Sequence, residues 1–244
     1  MKENLCYNEK NSQREDISMT RIIAVRHAQS EGNLAAFFCG HTDISLTPFG
    51  MRQAEETARF LDAYPIDRIY SSDLLRVIMT ARPTAERRGM EIIPHRGLRE
   101  INVGEWEGMP LSELDRRDPA RVIWRRDFVN AVCPGGESVR ELFARIRVTI
   151  RALAEENDGK TIALFTHATP VRSMLTEWRG QSIEAINETP WPTNASVTVV
   201  DYLDDGSYRL VLAAYDEHLV RVGLVDKKAA AHKKMDVAPK RDSV

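Results

Sequence analysis

The sequence predicts an α/β fold: a three-layer α/β/α sandwich around a mostly parallel sheet, closed by a C-terminal antiparallel hairpin. Three observations lead there. Short apolar runs ("RIIAV", "IDRIYSS", "TIALFT") alternate with longer amphipathic stretches. That alternation implies crossovers between parallel strands, with helices covering both sheet faces. Near the end, "SVTVVDYL" and "YRLVLAAYD" flank the turn "DDGS", the pattern of a hairpin. A chain of 244 residues suits one such domain, expected over 21–225.

Each element has its own local reason. Residues 1–20 are polar and aperiodic and are expected to form a disordered leader. "RIIAV" is rich in β-branched residues and reads as a core strand. "LTPFGMRQAEETARFLDAY" is a helix with Thr47 as N-cap and Pro48 at the first helical position, where a missing N–H costs nothing. "IDRIYSS" is the second strand. "DLLRVIMTARPTAERRG" is helical, and Pro83 is expected to kink or split it. "MEII" is a short strand. In "GESVRELFARIRVTIRALAEEN", Ser138 and Glu141 have capping-box spacing. Val139, Leu142, Phe143, Ile146, Ile150 and Leu153 then recur on one face. "TIALFT" is the third core strand, followed by the helix "PVRSMLTEWR". The tail, 226–244, carries six Lys or Arg against three Asp and reads as flexible, basic and solvated.

Composition excludes several classes. Charged residues make up 29% and the net charge is −2, so no broad positive field recruits nucleic acid. No apolar run approaches the ~20 residues of a spanning helix. The N-terminus lacks the apolar stretch of a secretory signal. Cys6, Cys39 and Cys133 are odd in number and widely spaced, which fits a reducing, cytoplasmic setting. No histidine pair or CxxC has metal-ligand spacing, so no metal site or cofactor is expected. "NDGKTI" lacks the upstream glycine of a phosphate-binding loop. "GESVR" opens a helix with no strand before it, so Ser138 is a cap and not a nucleophile.

Ligands of open parallel sheets bind beyond the carboxyl ends of the strands. Those ends carry Arg26-His27, Ser71-Ser72 with Arg76 in the next helix, and Thr166-His167. A single histidine at a strand end is more often a satisfied core residue than a catalyst. Two histidines and two arginines arriving at one rim by independent routes weaken that reading. Guanidinium groups match phosphate oxygens in a bidentate way, and a neutral imidazole can attack phosphorus. A carboxylic acid must then protonate the leaving oxygen. "GLREINVGEWEG" offers Glu100, Glu105 and Glu107.

These residues resemble the histidine phosphatase superfamily, the phosphoglycerate mutase-like family, whose signature "RHAQSEGN" approximates. The resemblance continues through "CGHTDISLTPFGMRQA", "IYSSDLLRVIMTA", "LREINVGEWEG", "PGGES" and "THATPVR", covering roughly residues 20–217. It implies that His27 is the phosphorylated nucleophile, that Arg26, Asn33 and Arg76 hold the phosphate, that His167 contacts the transferring group and that Glu100 moves the proton. Cys39, Gly40 and Ala168 fall where substrate-contacting residues lie. Glu105 and Glu107 become surface or supporting groups. Two departures stand out. Ala28 replaces the glycine after the histidine, and Ala168 and Thr169 replace glycines after His167; alanine at positive φ would be strained.

The resemblance implies a metal-independent phosphatase acting on a small phosphorylated metabolite. The segment from Glu100 to His167 is shorter than in cofactor-dependent mutases, and Leu111 stands where they place a lysine. A mutase is the alternative, since "IWRRDF" is similar to a segment whose arginines grip the substrate; Arg125 and Arg126 would then bind it. A non-catalytic phosphate-ester-binding regulator is the alternative of another class. No specific nucleic acid or membrane partner is expected. Oligomeric state stays open, a homodimer included.

Overall fold

The computed structural model describes residues 19–225. The basic tail and residues 1–18 of the leader lie outside the described residues. Met19 and Thr20 correct the leader's boundary, because the first strand, β1, spans Met19–Arg26. Both residues pair with the hairpin, Met19 opposite Leu203 and Thr20 opposite Tyr202. The buried Thr20 hydroxyl also donates to the carbonyls of Ala154 and Asn157. These tertiary partners order two residues that look featureless in sequence.

The other strands are β2 (Arg68–Ser71), β3 (Ile92–Pro94), β4 (Thr161–Thr166), β5 (Val197–Leu203) and β6 (Tyr208–Tyr215). The helices are α1 (Glu31–Ala35), α2 (Pro48–Leu61), α3 (Leu75–Arg88), α4 (Leu111–Arg117), α5 (Pro119–Arg126), α6 (Val139–Glu156), α7 (Ala168–Trp178) and α8 (Glu217–Val220). They are joined by loops and short 3-10 turns. None is long and apolar enough to cross a membrane, among the described residues.

One six-stranded sheet runs in the order β3-β2-β4-β1-β5-β6. The first four strands are mutually parallel; β5 is antiparallel to β1, and β6 to β5. Strand side chains alternate between faces. Ile22, Ala24, Ile162, Leu164 and Val200 meet α6 and α7 on one side. Ile23, Val25, Ile69, Ala163 and Phe165 meet α2 and α3 on the other. This is the three-layer sandwich with its antiparallel C-terminal hairpin.

Local signals act as read. Thr47 accepts the Gly50 N–H at 2.9 Å, and Pro48 opens α2. Ser138 and Glu141 close a capping box on α6. Val139, Leu142, Ile146, Ile150 and Leu153 are buried along it, while Phe143 is half-buried at the stripe's edge. Pro83 does not split its helix: α3 continues through it to Arg88. A proline inside a helix costs about 3 kcal/mol. Here Thr80, Ala81, Thr84 and Ala85 are buried on both sides of Pro83, and that packing holds the helix together.

Candidate active site

β1 and β4 are adjacent and parallel, with Arg26 paired to Thr166. The residues that follow, His27 and His167, therefore leave the sheet side by side. The His27 N–H donates to the Thr166 carbonyl at 2.8 Å, and the ring centroids lie 5.3 Å apart. β2 ends one strand further on, bringing Ser72 to the same rim through its N–H to the Phe165 carbonyl. Sheet register alone thus assembles three of the predicted strand ends.

Hydrogen bonds fix both tautomers. His27 Nδ1 lies 2.8 Å from its neighbour's carbonyl, Ala28 O. A carbonyl only accepts, so Nδ1 carries the proton and Nε2 keeps its lone pair. Arg76 Nη2 donates to His167 Nδ1 at 3.1 Å. His167 Nε2 must then be the protonated nitrogen, and it donates to Ser72 Oγ at 2.9 Å. Burial, followed by the charges of Arg76 and Arg26, holds the His27 pKa well below the ordinary histidine value. Burial and Arg76 do the same for His167. Both imidazoles are neutral at neutral pH, beside two permanent cations.

Arg76 is almost wholly buried, and its guanidinium donates to Thr42 O at 2.9 Å and Gly40 O at 2.8 Å. Arg26 donates Nη1 to Pro192 O at 2.6 Å. Asn33 sits in α1 and completes a capping box with Ser30. Its Oδ1 accepts from Ser30 and from Asn194 Nδ2, at 3.1 Å, so only its Nδ2 remains for an anion. Glu100 is buried on the loop after β3. Its carboxylate accepts the Ile101 N–H at 2.9 Å and the Thr169 N–H at 3.3 Å. The second bond places it at the N-terminus of α7.

The small-residue departures are unstrained. Ala28 is fully buried, its N–H bonded to Thr80 Oγ1 at 3.0 Å, and neither it nor Ala168 or Thr169 has positive φ. Ala168 and Thr169 open α7. Cys39 is half-buried at the edge of the site, and burial raises its thiol pKa. Gly40 is buried, and its contribution to the site is the carbonyl that Arg76 grips. Glu105 is exposed, while Glu107 faces the backbone of residues 40–42. Arg125 and Arg126 are exposed on α5 and stand outside this network; Arg125 pairs with Asp115 at 3.2 Å. Trp124, beside them, turns inward against Phe38, Trp106 and Phe128.

Asn194 escapes sequence reasoning. It is buried, and its Nδ2 bridges His27 O, at 3.0 Å, and Asn33 Oδ1. It lies here because β5 runs antiparallel to β1, so the residues before β5 meet those after β1. An asparagine ahead of a strand was the only local sign, and it is common to many loops.

The sequence and the fold are similar to those of known proteins. A region 31% identical over 157 residues, 64% of this chain and 74% of the relative, matches phosphoserine phosphatase 1 of Hydrogenobacter thermophilus. The 2,3-bisphosphoglycerate-dependent phosphoglycerate mutase of Cytophaga hutchinsonii is 31% identical over 183 residues, 72% of this chain and 85% of that one. Among solved structures, a mycobacterial glucosyl-3-phosphoglycerate phosphatase superposes with a TM-score of 0.72 at 26% identity, covering 81% of this chain and all of that one. The profile of the histidine phosphatase superfamily (branch 1) matches residues 22–215, and the chain belongs to that superfamily.

Proposed function

We propose that this protein is a phosphomonoesterase that hydrolyses a small phosphorylated metabolite through a phosphohistidine at His27, without a metal. One observation carries the reading: His27 is held neutral, with Nδ1 protonated and Nε2 free, between two arginines. Arg26, Arg76 and the Asn33 amide meet the charge on the non-bridging oxygens. His27 Nε2 attacks phosphorus, the ester P–O bond breaks, and the leaving oxygen takes a proton from Glu100. Water then attacks the phosphohistidine and yields its proton to the Glu100 carboxylate. Inorganic phosphate leaves, and His27 is neutral again.

Hydrolysis is favoured over mutase transfer by α5. Arg125 and Arg126 are both exposed on α5 and outside the hydrogen-bond network of the rim, so a second anion grip of the "WRR" kind lacks support. The mutase reading keeps one argument, the 31% identity to a named mutase. The phosphatases among the relatives act, by their names, on small phosphorylated metabolites, the class proposed here. A cytoplasmic setting belongs to the same proposal and rests on the free thiols of Cys39 and Cys133.

A panel of phosphomonoesters assayed in EDTA tests this. Wild type is expected to release phosphate from at least one member, and His27→Ala to lose activity by about four orders of magnitude or more. Turnover unchanged in His27→Ala, or tight ester binding with no hydrolysis of any member, contradicts it. Primer-dependent interconversion of 3- and 2-phosphoglycerate would instead favour the mutase.

A further inference from the structure

Arg76 reaches the rim from α3, but its guanidinium is held by a loop from elsewhere in the chain. Thr42 O and Gly40 O take two of its N–H groups and His167 Nδ1 takes a third. The remaining donors are left for an anion. The position of the clamp therefore depends on where the carbonyls of residues 40 and 42 stand.

A single carboxylate fixes that loop from its other side. Glu107 Oε2 accepts the N–H groups of Gly40 and Thr42, each at 3.2 Å, and the Thr42 hydroxyl. Its Oε1 accepts the His41 N–H. Three successive backbone N–H groups turned on one anion form a nest. Peptide planes are rigid, so the His41 N–H drawn to Glu107 turns the Gly40 carbonyl, which shares its plane, the opposite way, toward Arg76. Gly40 makes the approach possible: a Cβ there would lie 2.7 Å from Glu107 Oε1 and 2.9 Å from Val103 N.

Glu107 is itself held firmly. Trp106 is buried among Phe38 and Trp124, and its indole Nε1 donates to Asp118 Oδ2 at 2.5 Å. Gly108, at φ +71°, turns the chain so that its N–H meets Phe38 O at 2.8 Å. The segment "WEG" thus has an anchor, a carboxylate and a left-handed turn in succession.

We infer that Glu107 is a positioning residue for the phosphate clamp: by filling the nest of residues 40–42 it fixes the loop and aims the Gly40 carbonyl that holds Arg76. The inference rests on the proposed phosphate-binding role of Arg76. Glutamine at 107 would keep the shape but present an NH2 group to N–H donors, opening part of the nest.

Orthovanadate binding, measured by calorimetry on the full chain, tests this without requiring turnover. Glu107→Gln is expected to bind about tenfold more weakly than wild type, the order of a lost charge-assisted hydrogen bond. Thr42→Val, which removes only the hydroxyl donor at an exposed position, should shift affinity in the same direction by less. In an Arg76→Lys background, where the lysine cannot grip both carbonyls, the Glu107→Gln loss should disappear. Wild-type affinity in Glu107→Gln overturns the inference, as does a loss of equal factor in the Arg76→Lys background. If Glu107→Gln does not fold, Thr42→Val is judged by the same two criteria. A wild type that takes up no vanadate contradicts the phosphatase reading itself, a result distinct from either.

Discussion

At the scale of single residues, the site is a pair of neutral imidazoles held by their hydrogen-bond partners beside two fixed cations. A histidine next to an arginine loses more from protonation than one in water, and burial adds to that loss. The shift of His27 is downward, so its neutral form persists as pH falls past the ordinary value near 6.5. NMR titration of the phosphate-free protein should find no His27 transition between pH 8 and 6. A midpoint near 6.5 would contradict the electrostatic account. The gathering of Arg26, His27, Arg76 and His167 at one rim was legible because each lies at a strand's carboxyl end or shortly after it; Glu100 was singled out among three loop carboxylates only by the family resemblance. Asn194 was not legible, and Glu107 was read only as a surface or supporting group. Their roles depend on bonds to backbone groups over 60 residues away in sequence, and no local pattern encodes those.

Elements were legible where a local signal and burial agree. The caps of α2 and α6, the apolar stripe of α6 and the runs of β1 and β4 are of this kind. Pro83 does not split α3, because tertiary packing outweighs a local penalty. The antiparallel placement of β5 against β1 follows from pairing, not from composition. That pairing is reinforced by Asp201 on β5, whose buried carboxylate bonds Arg21 of β1 at 2.8 Å and Arg209 of β6 at 2.8 Å. Burial alone would raise its pKa, but the hydrogen bonds from the two arginines hold it below the usual carboxylate value. Its contribution is therefore present above about pH 4 and is lost as pH falls through the depressed folded value. Asp201→Asn is expected to lower unfolding free energy at pH 7 by about 2 kcal/mol, since both arginines can turn to water but the charged hydrogen bonds are gone. Denaturant unfolding measures this, and the substitution should leave the proposed phosphatase activity intact because Asp201 sits opposite Arg21, away from the strand ends that carry the site. A destabilisation below a few tenths of a kcal/mol would show that the ion pairs do not hold the hairpin.

At the scale of the whole molecule, topology converts sequence order into a site. Strands β2, β4 and β1 lie side by side although they come from residues 68–71, 161–166 and 19–26. Their carboxyl ends deliver Ser72, His167 and His27 together, and the loop after β3 brings Glu100 to the start of α7. The fold class could be read from alternation alone; which strands are neighbours could not, and that adjacency is what gathers these side chains at one rim. The central claim is that a phosphoryl group passes through His27. Rapid quench of the enzyme with a turned-over phosphomonoester, followed by peptide mass spectrometry under alkaline conditions that preserve phosphohistidine, tests it most directly. The account predicts an acid-labile phosphate on His27 that forms and decays within a turnover and is absent from His27→Ala. Turnover with no phosphorylated His27 at any quench time, and equal rates in His27→Ala, would contradict it.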